Sequence, residues 1–174
     1  KGNSSVRKAE IEVELLNELN NKLNKQCKKN IVNFIDSARL SVQNREYLLI
    51  ILQKMDMDLS DYLDEKENKK LHLSTAKKIM RQVTKAIECL HNMGIVYNDL
   101  KPHNILFTED IGIKLTDFNC LVDLNNPESN RGCSTFSYRP IELVSNEYYK
   151  KIDCDDDKYK IDSWVIGIIA LQLY

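Results

Sequence analysis

The sequence predicts an α+β chain in two lobes. Three observations carry that reading. Apolar residues recur at helical spacing at Ile11, Leu15, Leu16, Leu19 and Leu23, and again at Ile79, Met80, Val83, Ile87 and Leu90. Two β-rich runs, "IVNFIDSARL" and "EYLLIILQKM", lie between these stretches. The final "DSWVIGIIALQLY" is apolar on all sides of a helix, which marks a segment buried in a protein core.

In chain order, residues 6–23 are an amphipathic helix and "NKQCKKN" is a polar connector. The two β-rich runs, separated by "SVQNR", form an antiparallel pair, and residues 48–52 read as a strand covered on both faces. A short helix at 59–63 precedes the charged loop "DEKENKK". Ser74 or Thr75 caps the second long helix, and Gly94 stands just past its end, where a left-handed residue is wanted. "NILFT" and "GIKLTD" are two short strands of a hairpin, and the stretch up to Tyr138 is loop-like. Residues 1–55 are read as a partial small lobe ending in a hinge, and 56–174 as the first part of a helical large lobe. The last helix ends at Tyr174 without a cap or polar exit, as expected where a larger domain has been cut.

Composition excludes several classes of function. A chain of 174 residues, 43% hydrophobic, can bury a core, and its formal net charge of -1 offers no global attraction to nucleic acid or an anionic membrane. No apolar run approaches the roughly 20 residues of a membrane span, and the opening "KGNSSVRK" is not a signal peptide. The cysteines, Cys27, Cys89, Cys120, Cys133 and Cys154, are odd in number and include no CxxC pair. They are expected to be reduced thiols inside a cell, and His72, His91 and His103 are not spaced to join them in a zinc site.

Chemistry concentrates in "IVYNDLKPHNILF". Phosphoryl transfer requires an acceptor for the substrate hydroxyl proton, oxygen ligands for Mg2+ and positive charge near the migrating group. Asp99 supplies the acceptor, Lys101 the charge and Asn104 an amide oxygen, while "KLTDFN" sets Asp117 at the end of an apolar strand, where a carboxylate can bridge metal and phosphates.

These residues resemble the eukaryotic-type protein kinase family, whose catalytic loop reads HRDLKxxN and whose metal-binding motif reads DFG. "YNDLKPHN" is followed by "DFN", by "STFSYRPIE" where kinases carry T-x-x-Y-R-A-P-E, and by "DSWVIG" where they carry D-x-W-S-x-G. The resemblance covers essentially the whole chain and implies a protein kinase-like two-lobe fold, truncated. It implies Asp99 as catalytic base, Lys101 as the phosphate-contacting lysine, and Asn104 and Asp117 as Mg2+ ligands, with ATP as phosphoryl donor and a protein as acceptor. The lysine two residues after Asp99, and Thr135 in the position of a threonine that contacts the catalytic aspartate and lysine, are the serine/threonine pattern.

The resemblance further implies Leu52 as gatekeeper, Gln53, Lys54 and Met55 as the adenine-binding hinge, and Leu106 as the floor under the ring. Leu16, Phe34, Tyr97 and Phe118 would form a stacked spine between the lobes, and Asp162 would hydrogen-bond the catalytic-loop backbone. Two residues compete for the helix glutamate that meets a strand lysine and so contributes to nucleotide binding. Glu12 is favoured by the apolar pattern around it, Glu18 by its spacing from Lys1; with Glu12, the lysine and a Gly-rich loop are expected upstream.

The departures from the family pattern are informative. Asn98 replaces the arginine that reads a phosphate on the activation loop, so the expected enzyme is not gated by that phosphate. Asn119 replaces the DFG glycine, and asparagine tolerates positive φ better than other side chains. The resulting expectation is an intracellular, ATP- and Mg2+-dependent serine/threonine protein kinase, with a regulatory protein as a possible partner. The alternative is a kinase-like binding module that has given up transfer. A small-molecule phosphotransferase of related fold is disfavoured by "STFSYRPIE", a peptide-substrate platform.

Overall fold

In the computed structural model the structure describes residues 3–66, 68, 70–108, 112–125, 134–144 and 155–174. Helix α1 (Asn3–Lys22) ends in a polar turn and a short 3-10 segment, Cys27–Asn30. Strands β1 (Phe34–Val42) and β2 (Arg45–Leu52) follow as an antiparallel hairpin. Its turn is two residues, Gln43 and Asn44, both at positive φ, so the strands run further into "SVQNR" than the sequence suggested. α1 lies across one face of this hairpin, where Leu48 and Ile50 point.

The opposite face is open, which corrects the expectation of a strand covered on both sides. Leu49 and Ile51 are 45% and 44% exposed, beside Leu40 and Tyr47. A continuous apolar run hides the two-residue alternation, so its pattern alone cannot tell a one-sided strand from a buried one.

β3 (Met57–Asp58) leads into α2 (Leu59–Asp64), capped by Asp58, whose carboxylate accepts from the Asp61 N–H. α3 (Leu73–His91) begins before Ser74 and Thr75. Its cap is His72, whose ring nitrogen accepts from the Ser74 N–H, so neither hydroxyl residue caps it as expected. The buried stripe of α3, Ala76, Ile79, Val83, Ala86, Ile87 and Leu90, is the centre of the core. Gly94 closes the helix at φ 78°, and an added Cβ there would stand 2.4 Å from Asn125 Nδ2.

After β4 (Ile95–Val96) the catalytic-loop sequence runs through a 3-10 turn, Pro102–Asn104, into β5 (Ile105–Phe107) and β6 (Ile113–Leu115). β3, β5 and β6 form one antiparallel sheet, while β4 pairs with β7 (Val122–Asp123), a contact too short to register in the sequence pattern. The short α4 (Ile141–Val144) and long α5 (Asp155–Gln172) follow, with Val165, Ile169 and Leu173 entering the core from the α5 side.

The cysteines require a correction. Cys27 and Cys89 form a disulfide, 62 residues apart in sequence with Cα atoms 5.8 Å apart, and Cys120 is also disulfide-bonded. The 3-10 segment after α1 docks on α3 and brings Cys27 to Cys89, a meeting that spacing within the chain does not announce. Cys133 and Cys154, likewise expected as thiols, lie outside the described residues.

Candidate active site

The loop after β4 is fixed from below by a fully buried carboxylate. Asp162 of α5 accepts from the Tyr97 N–H and the Asn98 N–H, each at 2.8 Å, and pairs with His91 Nε2 at 2.8 Å. His91, at the end of α3, has no signal in the sequence for this role; it also packs its ring on Tyr159. With both amides held, the chain can pass through Asn98 at φ 67°, a left-handed conformation that asparagine accepts at modest cost.

Asp99 is then presented to several donors. Lys101 Nζ lies 2.8 Å from its Oδ2, and Asn104 Nδ2 donates to its backbone carbonyl at 2.9 Å. From the segment before α4, the Thr135 N–H and hydroxyl both donate to Asp99 Oδ1, at 2.7 and 2.6 Å. Lys101 also donates to Thr135 Oγ1 at 3.0 Å. A carboxylate with this many donors is held in one rotamer and cannot drift.

Asp117 follows β6 at φ 57°, and Tyr97 and Phe118 pack edge-on with ring centroids 5.8 Å apart. Leu16, Phe34, Tyr97 and Phe118 are all buried in the one core that joins the α1 side to the large helical side. The Tyr97 phenol donates to the Thr116 carbonyl; burial, reinforced by the Asp117, Asp99 and Asp162 charges, pushes its pKa well above the ordinary tyrosine range.

Of the two candidate glutamates, Glu12 faces Asp117 and Asn119. Burial raises its carboxyl above the usual value, the Asp117 charge adds to that, and a hydrogen bond from the Asn119 side chain opposes it. Glu18 lies on the exposed side of α1, paired with Lys22. Lys1 lies outside the described residues. Leu52 ends β2 half-buried, and Gln53, Lys54 and Met55 lie between β2 and β3, outside any strand. The Gln53 N–H donates to the Asn33 carbonyl at 2.9 Å, so a ligand at this residue would meet its carbonyl. Leu106, half-buried in β5, is in register with Asp58 and Lys114.

The donor set suits Mg2+. Asn104 and Asp117 offer hard oxygen atoms, and Mg2+ is ordinarily held by one or two protein ligands with the remaining positions filled by phosphate and water. Among the described residues no group of three or more histidine, cysteine or acidic side chains could hold a metal on its own.

A two-lobed α+β chain that sets Asp99, Lys101 and Asn104 on one loop after β4 and Asp117 just past β6 has the protein kinase-like fold. The chain belongs to the protein kinase family: the family profile described as "Protein kinase domain" matches residues 2–174. It is 31% identical over 149 residues to a probable cell division protein kinase of Encephalitozoon cuniculi, covering 86% of this chain and 45% of that protein. It is 37% identical over 147 residues to cyclin-dependent kinase 4 of Mus musculus, covering 83% and 46%. It is also 34% identical over 94 residues to an Aurora kinase of Saccharomyces cerevisiae, covering 53% and 23%. The chain thus spans no more than about half the length of these relatives.

Proposed function

We propose that this chain is the central part of an ATP-dependent serine/threonine protein kinase, with residues 1–55 belonging to its small lobe and 56–174 to its large lobe. The observation that carries the reading is the closed set of hydrogen bonds among Asp99, Lys101 and Thr135. It docks the "STFSYRPIE" segment on the catalytic loop, so that a peptide hydroxyl lying along that segment arrives beside the Asp99 carboxylate.

In this reading Asp99 orients the hydroxyl and receives its proton as the phosphoryl group transfers. Lys101, anchored to Asp99 and Thr135, holds positive charge where the γ-phosphate lies. Asn104 and Asp117 would hold Mg2+, which neutralises the phosphate oxygens when bound. Leu52, the Gln53–Met55 backbone and Leu106 would enclose adenine, and Glu12 would take the helix-glutamate role in nucleotide binding.

Activation without a loop phosphate is supported by Asn98. It is buried, it carries no charge, and its amide donates to the Cys120 carbonyl at 3.3 Å, so it offers nothing to attract a phosphate. A cell division protein kinase and a cyclin-dependent kinase among the relatives support a regulatory protein partner. We place the enzyme inside the cell, where ATP is abundant, and no described helix is long and apolar enough to cross a membrane. The alternative, a kinase-like binding module, is favoured by the two substitutions in the motifs, Asn98 and Asn119.

The readings separate on the full-length protein. The kinase should bind a fluorescent ATP analogue in a Mg2+-dependent manner and phosphorylate generic serine/threonine peptides but not tyrosine peptides. Asp117→Ala should abolish the metal dependence of binding. Metal-independent binding with no transfer to any peptide would establish the binding module instead.

A further inference from the structure

α1 packs chiefly on β1 and β2, whereas the 3-10 segment that follows it packs on α3 and β6. The segment therefore joins the side of the molecule that carries Glu12 to the side that carries the catalytic loop. Most of that junction is non-covalent. The Asn30 side chain donates to the Ile113 carbonyl at 3.0 Å and to Gln82 Oε1 of α3 at 3.1 Å. Lys114 Nζ donates to the Lys28 and Ile31 carbonyls at 3.1 and 3.0 Å, and the Val32 N–H to the Leu115 carbonyl at 2.8 Å. All of these contacts lie after Cys27 in the chain. The Cys27–Cys89 disulfide is the covalent member of the junction and stands closer to α1 in sequence than any of them.

The turn between α1 and Cys27 is stiff. Asn24 Oδ1 accepts from the Gln26 and Cys27 N–H groups, each at 2.9 Å, and the Lys28 N–H donates to the Asn24 carbonyl at 3.1 Å. A restraint at Cys27 is thus passed on to α1 and not absorbed by the turn. The two sulfurs also differ in access. Cys89 is 7% exposed on α3, while Cys27 is half-buried, with Lys25, Lys28 and Lys29 as sequence neighbours. The more accessible thiol, set among positive charges, is the one a peroxide meets first.

We propose that Cys27 and Cys89 form a reversible oxidation site, closed by a hydroperoxide such as H2O2 and reopened by a small thiol, and that closure fastens α1 to the catalytic-loop side. H2O2 oxidises the Cys27 thiol to a sulfenic acid and is itself reduced, leaving as water. The Cys89 sulfur then attacks the sulfenic sulfur; the S–S bond forms, the S–O bond breaks, and the oxygen leaves with the Cys89 proton as a second water. Two small-thiol molecules reverse this by exchange through a mixed disulfide and leave as their own disulfide. In a reducing cytosol the open form is the resting one, so closure reports a rise in oxidant. The effect on nucleotide rests on the kinase reading above; the site and its hold on α1 do not. Closure presets the arrangement of α1 that nucleotide would otherwise have to order on binding.

The test uses the full-length protein, reduced with dithiothreitol or oxidised with H2O2 and then freed of reagent, beside Cys27→Ser and Cys89→Ser treated alike. Peptide mapping after thiol blocking should find the Cys27–Cys89 link in oxidised wild type. Hydrogen–deuterium exchange of α1 should slow by roughly tenfold on oxidation, within the range a disulfide contributes, and recover on reduction. The dissociation constant of a fluorescent ATP analogue should fall by roughly threefold or more. Neither serine variant should respond, which separates this pair from the other cysteines. No link after H2O2, a link that leaves α1 exchange unchanged, or a serine variant that responds like wild type would overturn the proposal. The two forms of wild type decide the matter by themselves where a serine variant folds poorly. Slower exchange with an unchanged dissociation constant would overturn the coupling to nucleotide. A link that slows α1 exchange in a protein that binds no nucleotide in either form would refute the kinase reading and leave the oxidation site standing.

Discussion

The Thr135 hydroxyl donates to the Asp99 carboxylate at 2.6 Å across 36 residues of sequence. This contact ties the segment before α4 to the catalytic loop, and with the parallel bond from the Thr135 N–H it fixes both the carboxylate and the surface beside it. The Lys101 ammonium closes the set from the other side.

Thr135→Ala removes the hydroxyl and keeps the backbone bond. Peptide phosphorylation should fall by roughly 10- to 100-fold, the scale of one charge-assisted hydrogen bond. Thr135→Ser should retain most activity and Thr135→Val should not. Steady-state kinetics on a serine peptide distinguish them, and a Thr135→Val enzyme as fast as wild type would show that the hydroxyl is idle.

Asp162→Ala should cost about 2–4 kcal/mol of stability, because it strands two backbone amides and His91 in a buried place. Urea unfolding measures it. Asp162→Asn keeps the volume but turns an amide N–H toward donors, so it should recover only part. A loss below about 0.5 kcal/mol in the alanine variant would mean that water enters and satisfies the loop.

The Cys27–Cys89 link joins the turn after α1 to α3 and closes a long loop. Cys27→Ser should lower stability by about 2–4 kcal/mol against the oxidised protein and leave it level with the reduced one. Mass spectrometry after thiol blocking, paired with thermal melts with and without reductant, provides the check. In a reducing cytosol the bond is expected to be largely open; a protein isolated under thiol-blocking conditions with both sulfurs alkylated would agree with that. A melting temperature unaffected by reductant in wild type would contradict the stabilising role.

Gly94→Ala should destabilise by more than the roughly 1 kcal/mol that a left-handed alanine costs, because its Cβ would also collide with the Asn125 amide. Chemical denaturation should show a lower midpoint with an unchanged slope. An alanine variant of wild-type stability would mean that Gly94 does not hold this conformation in solution.

What the sequence disclosed, and what it did not, follows from range and length. Asp99, Lys101 and Asn104 lie within one loop, so their spacing already fixes their proximity, and long helices such as α1 and α3 repeat their period enough to be read. The disulfide depends on two segments meeting from 62 residues apart. β4 and β7 have two residues each, below any periodic signal. His72 caps α3 with a ring nitrogen, an atom that cap preferences centred on hydroxyls and carboxylates overlook. At Asn119 the backbone drew attention because the family has glycine there, whereas the structure gives its amide a bond to Asp117 Oδ1, visible only once the two are placed.

The central claim is that Asp99 receives the proton of a protein hydroxyl during transfer from ATP. Its most direct test is transfer of radiolabelled γ-phosphate to a serine peptide by the full-length protein and its Asp99→Asn variant, side by side with Mg2+ saturating. Wild type should transfer robustly and the variant should lose about 10²-fold or more, the scale of removing a general base. Equal transfer by both proteins, or none by wild type, would contradict it.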